Sequence, residues 1–237
     1  MKLTWDDIGN RLYKVGIDRG VLYPMVDENY QNGVSWSGLT GVDYSPGGRE
    51  KTVLYSGDVK RRILLSPEEY GGTIKAYFYP DEFDQCIGNS TIFDGMTLGQ
   101  QESSPFGLSY RTVIGNDVVG HKYAYQLHVL YESYVISIKD ADNTINENLS
   151  PTEFNWTFEC VPVEFGDFSP VSHISIDSRK FPEHIMTSLE EALWGTDDTE
   201  PRLLLPQEIY DIILAGMPYE GFPKPGAYPA LDLYPAP

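Results

Sequence analysis

The sequence predicts a mainly β fold with one or two α-helices near the C-terminus. Three observations lead there. Short apolar segments punctuated by glycine and proline fill most of the chain. Several of them alternate with period 2, the mark of a half-buried strand. A helical period arises only after residue 180. At 237 residues, with 41% hydrophobic and 22% charged side chains, the chain can build a sizeable core as one large all-β domain or two small ones. The 17 Tyr, 10 Phe and 4 Trp suit strands and interfaces, where a ring packs and a hydroxyl stays bonded.

Taken in order, "GNRLYKVGIDRGVLYP" reads as a strand or a docked N-terminal arm, and "GVSWSGLTGVDYSPGG" as a strand ending in a glycine turn. "KTVLYSGDVKRRILLS" gives two short strands around Ser56-Gly57-Asp58. In "GTIKAYFYP", Ile74, Ala76 and Phe78 fall on one face and Thr73, Lys75, Tyr77 and Tyr79 on the other. The stretch "DEFDQCIGNSTIFDGMTLGQQESSP" is too long for a bare loop, so short strands or a functional excursion are expected there.

"FGLSYRTVI" and "KYAYQLHVLYESYVISI" flank "GNDVVG" and predict a hairpin, with Tyr123, Tyr125, Leu127, Val129 and Tyr131 on one face. "EFNWTFECVPVEF" is a strand interrupted or edged by Pro162, and "SHISIDS" is another. In "FPEHIMTSLEEALWG" an apolar stripe runs through Ile185, Met186, Leu189, Ala192 and Leu193. Pro182 suits its first turn and Gly195 its end. "PQEIYDIIL" is a shorter helix with Ile209, Ile212 and Ile213 on one face. The last 22 residues hold six prolines and read as an extended arm.

The chain carries 17 basic and 35 acidic residues, a net charge of −18. Residues 1–139 account for −4 of it and residues 140–237 for −14. Such a surface repels phosphate and argues against tight wrapping of nucleic acid, while suiting a wall that DNA must pass without sticking. Two cysteines, Cys86 and Cys160, are too few for a disulfide framework or a structural zinc site. "MKLTWDDIGN" has acids where a signal peptide needs an apolar run, and no window reaches the length of a membrane span. A soluble protein made inside the cell is expected, without a membrane.

"GLSYR" approaches the Gly-x-Ser-x-Gly turn of a nucleophilic serine around Ser109. A nucleophile elbow needs glycine on both sides because the turn is tight, and here position 111 is arginine within an alternating strand. His121 and His128 are an odd number of residues apart in one strand and point to opposite faces, and His173 and His184 lack ligands at metal spacing. "DADNTINENLSP" starts like a calcium loop but has Ile145 where glycine and Pro151 where glutamate belong. "SPGGREKT" lacks P-loop spacing. The residues therefore predict neither an enzyme nor a cofactor. They predict a subunit built for assembly.

Several stretches together resemble the major tail (tail tube) proteins of long-tailed, siphovirus-type bacteriophages: "LYKVGIDRGVLYP", "GVSWSGLTGV", "YPDEFDQC", "PFGLSYRTVIGND", "HKYAYQLHVLYESY" and "IDSRKFPEHIMTSLEEALWGTDDTEPRLLLPQEI". They occur in that order over about residues 11–213. The proline-rich "YEGFPKPGAYPALDLYPAP" lies outside the likeness. The resemblance implies a tail-tube-type β-barrel or sandwich with flanking helices and extended arms. Its domain would span residues 1–215, with 216–237 a C-terminal extension.

The resemblance further implies hexameric rings stacked around a tape-measure protein, ended by tail terminator and baseplate or distal tail proteins, in the tail of a virion. Double-stranded DNA would pass the acidic lumen without specific binding. Glu68, Glu69, Asp81, Glu82 and Asp84 are the candidate lumen-lining acids, although most of the excess acid lies later in the chain. Arg49, Lys51, Lys60, Arg61 and Arg62 give "REKTVLYSGDVKRR" a local excess of positive charge and form a candidate inter-ring loop. The alternative is a carbohydrate-binding β-sandwich using exposed aromatics such as Tyr77/Tyr79 or Tyr123/Tyr125.

Overall fold

A computed structural model describes residues 3–45, 47–48, 51–56, 58–66, 69–139 and 151–217. The first strands are β1 (Leu12–Val26), β2 (Asn29–Tyr30), β3 (Val34–Ser35), β4 (Leu39–Tyr44), β5 (Lys51–Ser56), β6 (Val59–Leu65) and β7 (Gly71–Ala76). A 3-10 helix (Asp81–Ile87) precedes β8 (Ser90–Phe93) and β9 (Met96–Leu98). Then come β10 (Phe106–Asn116), β11 (Gly120–Lys139), β12 (Phe154–Cys160), β13 (Val163–Phe165), β14 (Phe168–Val171) and β15 (His173–Asp177). Helices α1 (Glu183–Trp194) and α2 (Pro206–Gly216) follow. The fold is mainly β with late helices, as the periodicities predict.

The main sheet is antiparallel, in the order β2-β1-β10-β11-β12-β7-β4, with β3 also on β1 and β15 also on β11. The 20-residue β11 organises it. One edge pairs with β10 from Asn116↔Gly120 to Phe106↔Ser133. The other edge serves β15 over Gln126–Leu130 and then β12 over Ser133–Lys139. The change of partner falls at Glu132, whose φ of 35° is rare for a residue with a side chain. Around it the Tyr131 N–H still donates to the Ser172 carbonyl, whereas the Glu132 carbonyl already accepts from the Val161 N–H.

Alternation along the central strands feeds two cores. On one face Val21, Tyr23, Leu127, Val129, Tyr131 and Ile176 meet Ile185, Met186, Leu189 and Leu193 of α1 and Ile209 of α2. The α1 stripe is thus the buried face, and each fully buried aliphatic side chain contributes about 1.5–3 kcal/mol. Pro182 stands one residue outside α1, as its N-cap. Gly195 ends the helix at φ 76°, and the Ala192 carbonyl, left without an intrahelical partner, accepts from the Arg202 N–H at 2.9 Å. At the start of α2 the Glu208 carboxylate takes the free Leu205 N–H at 2.9 Å and the Arg202 guanidinium at 2.7 Å.

On the opposite face Leu22, Trp36, Ile74, Ala76, Phe83, Phe106, Leu108, Leu130, Trp156 and Phe158 form a second cluster. Its members come from both ends of the sheet, so the sheet must curl around them. The ends meet through side chains and single bonds, with Leu39 against Gly20 and the Trp36 N–H donating to the Gly20 carbonyl at 2.8 Å. Burial pushes the Cys86 thiol up to about 12 and the Cys160 thiol up to about 11, which keeps both protonated in this cluster.

One strand departs from its expected faces. Ile74 and Ala76 are fully buried, but Phe78 is 62% exposed. The strand ends at Ala76, after which the Tyr77 N–H donates to the Gly38 carbonyl and the Trp36 indole N–H to the Phe78 carbonyl. Alternation stops there, and Tyr79 turns inward against Phe83, Phe154 and Trp156.

Candidate assembly surfaces

The β5–β6 hairpin is a two-stranded ribbon in which every side chain of β6 is exposed. Leu54, Tyr55, Val59, Ile63, Leu64 and Leu65 all leave apolar surface in solvent. The cross-strand pairs Val53↔Ile63 and Thr52↔Leu64 lie on opposite faces, so both faces carry apolar side chains. Neither outer edge has a ladder partner among the described residues, although the Gly47↔Glu69 bridge steadies the base. A lone hairpin of this kind is marginal in water, and an exposed strand edge is a template for pairing.

The basic residues expected in this region sit on the ribbon itself. Lys51, Lys60, Arg61 and Arg62 are all exposed, while Arg49 lies outside the described residues. The register passes from Leu54↔Arg62 to Tyr55↔Lys60, so Arg61 is the extra residue of a bulge. Cations and apolar side chains are therefore interleaved on one exposed element.

A second hairpin, β8–β9, exposes Ile92, Phe93, Met96 and Leu98 beside the 3-10 helix. That helix brings Asp81, Glu82 and Asp84 onto one turn, and the Asp84 carboxylate accepts from the Asn89 amide at 3.1 Å. Glu69 is exposed on a different element at the ribbon base, and Glu68 lies outside the described residues. The structure groups three of the candidate acids and separates Glu69 from them.

Ser109 is fully buried beneath α1, 3.0 Å from the Tyr23 hydroxyl. Tyr23 has one hydroxyl proton and donates it to the Leu193 carbonyl at 2.6 Å, so Ser109 is the donor to Tyr23. The serine joins two strands and a helix. Its neighbour Arg111 forks onto Asp18 at 2.9 and 2.8 Å, lies 3.5 Å from Glu190 and covers the Tyr125 ring at 4.5 Å. Arg19 and Arg111 both lie over Trp194, at 4.6 and 5.3 Å. Tyr125 and Tyr79 are thus engaged in packing, which removes both pairs proposed as a sugar-binding platform.

The histidines assemble in a way their spacing along the chain conceals. His128 is buried and its ring stacks on Tyr110 at 4.7 Å. Its Nε2 bonds Thr112 Oγ1 and its Nδ1 bonds His173 Nε2 at 3.0 Å. Tyr70 and Tyr44 continue the row beyond His173 at 4.8 and 4.5 Å. Burial, with a smaller contribution from neighbouring positive charge, lowers His128 to about 3 and His173 to about 4. Among the described residues no three His, Cys, Asp or Glu side chains group as metal ligands, and no helix is long and apolar enough to cross a membrane. The calcium-like stretch lies almost wholly outside the described residues.

No family model matches the chain, and no curated protein matches it. Solved structures give distant likenesses. A chain of the anti-feeding prophage baseplate, 6-fold symmetrised, aligns with a TM-score of 0.37 at 6% identity, over 73% of this chain and 97% of that one. A chain of the sheath–tube complex of an extracellular contractile injection system in its extended state gives 0.34 at 13%, over 67% and 88%. The cap terminating the anti-feeding prophage tube gives 0.38 at 12%, over 75% and 100%. These scores lie below the level that establishes a shared fold.

Proposed function

We propose that this chain is a structural subunit of a phage tail tube, a virion component made in the host cytoplasm. Six copies form a ring, and rings stack around a tape-measure protein between terminator and baseplate or distal tail proteins. The reading assigns it no catalysis and no cofactor. The observation that carries it is the β5–β6 ribbon, which exposes six large apolar side chains and four described cations and has no ladder partner on either outer edge among the described residues. Such an element gains stability when another copy covers it. The ordered sequence resemblance supplies the kind of assembly.

Electrostatics give a register for stacking. The ribbon is locally basic, while Asp197, Asp198 and Glu200 are exposed between α1 and α2. In this proposal the ribbon of one subunit meets the acidic C-terminal region of a subunit in the next ring. Acids on the bore, with Asp81, Glu82 and Asp84 as candidates, keep DNA from sticking during ejection. The screening length of about 8 Å at physiological salt means only acids facing the lumen act on it.

The test is charge reversal on the ribbon in the full chain. Arg61→Glu with Arg62→Glu is expected to abolish stacking in sedimentation while leaving thermal unfolding of the subunit unchanged. Normal stacking by that double variant would refute the ribbon's assignment.

A further inference from the structure

We infer that the proline-rich C-terminal tail of this chain docks on an aromatic shelf formed by Phe165, Phe168 and Tyr210 of the same molecule. The shelf lies where the β13–β14 hairpin meets α2. Phe165 and Phe168 stack at 4.8 Å, and Tyr210 lies 6.2 Å from each, with all three rings half-buried.

The tail is built for such a surface. Phe222-Pro223, Tyr228-Pro229 and Tyr234-Pro235 repeat an aromatic-proline step at intervals of six residues. A polyproline II helix has three residues per turn, so an interval of six returns each step to the same face. Proline-rich segments in that conformation are bound by aromatic-lined grooves, because little chain entropy remains to be lost. Period and composition thus describe a ligand, and the shelf is a receptor of matching chemistry.

The connection decides which molecule supplies the tail. Tyr210 stands about 10 Å along α2 from Met217 at 1.5 Å per residue, and the five residues from Met217 to Phe222 span up to about 16 Å. The first aromatic-proline step therefore reaches back to the shelf without strain. A linker this short holds the step at an effective concentration of about millimolar, which favours the molecule's own tail.

The test is photo-crosslinking in the full chain carrying Phe222→p-benzoylphenylalanine, with isotopically light and heavy copies mixed. The expected product is an intramolecular crosslink to residues 163–171 or 206–216. Its yield should fall about fivefold in Phe168→Ala and Tyr210→Ala. Pro223→Ala, which alters the tail and leaves the folded core untouched, should lower the yield similarly. Crosslinks joining light to heavy copies would overturn the inference by assigning the tail to a neighbour. Crosslinks elsewhere, or a yield indifferent to all three substitutions, would also overturn it.

Discussion

Tyr23 and Ser109 lie 86 positions apart and share one buried hydrogen bond of 3.0 Å, which the Tyr23 hydroxyl extends to the C-terminal turn of α1. Removing each partner has a different consequence. Tyr23→Phe leaves a buried serine hydroxyl and a buried helix carbonyl without this tyrosine, at a cost of about 2–3 kcal/mol. Ser109→Ala leaves the bond to Leu193 intact and costs about 1 kcal/mol. Urea unfolding of both variants checks the order, and the double variant should be no less stable than Tyr23→Phe.

Arg111 is held by shape as well as charge. Its fork matches Asp18, its plane lies on Tyr125 and Trp194, and Glu190 is close by. Arg111→Lys retains the charge but loses the fork and the stacking, so a loss of about 1–2 kcal/mol is expected. Arg111→Ala strands the largely buried Glu190 carboxylate and costs about 3 kcal/mol, since Asp18 is partly in water. Thermal unfolding of the two variants reads both.

The paired histidines make the fold acid-sensitive. Both are neutral in the folded protein and have depressed values, about 3 for His128 and about 4 for His173. The unfolded chain takes up protons near the ordinary histidine value of about 6.5, so their contribution is complete above that pH. It declines as pH falls through 6 and 5 and is fully lost only below the folded values. Urea midpoints between pH 7.5 and 4.5 should therefore fall, and His173→Gln should flatten the slope.

Gly88 caps the 3-10 helix at φ 76°, and a Cβ there would sit 2.8 Å from the Gln101 carbonyl oxygen. Gly88→Ala combines left-handed backbone strain with that clash and should cost about 2 kcal/mol or more. A control substitution at Gly95 shares the positive φ but meets nothing within 4 Å, so it should cost less. Paired denaturation curves separate strain from clash.

Much of this architecture was legible because period 2 and period 3.6 are local properties. The β10–β11 hairpin, the face from Tyr123 to Tyr131 and the stripe of α1 all follow from spacing alone. The spacing puts Ser109 and Arg111 in one alternating strand, but Tyr23, Asp18 and Glu190 come from remote segments brought near by strand pairing and helix packing. The His128–His173 pair was hidden for the same reason, since one histidine lies on β11 and the other on β15. Phe78 departs from the alternation because its strand ends two residues early, where the Tyr77 N–H turns to the Gly38 carbonyl. The 3-10 helix did leave a trace, with Phe83 and Cys86 buried three residues apart, but one turn of that spacing is too short to stand out.

The central claim is self-assembly, and direct imaging tests it best. Negative-stain micrographs of the purified full chain at rising concentration should show rings of uniform diameter and short stacked tubes. Particles that remain single subunits at every concentration would contradict the account.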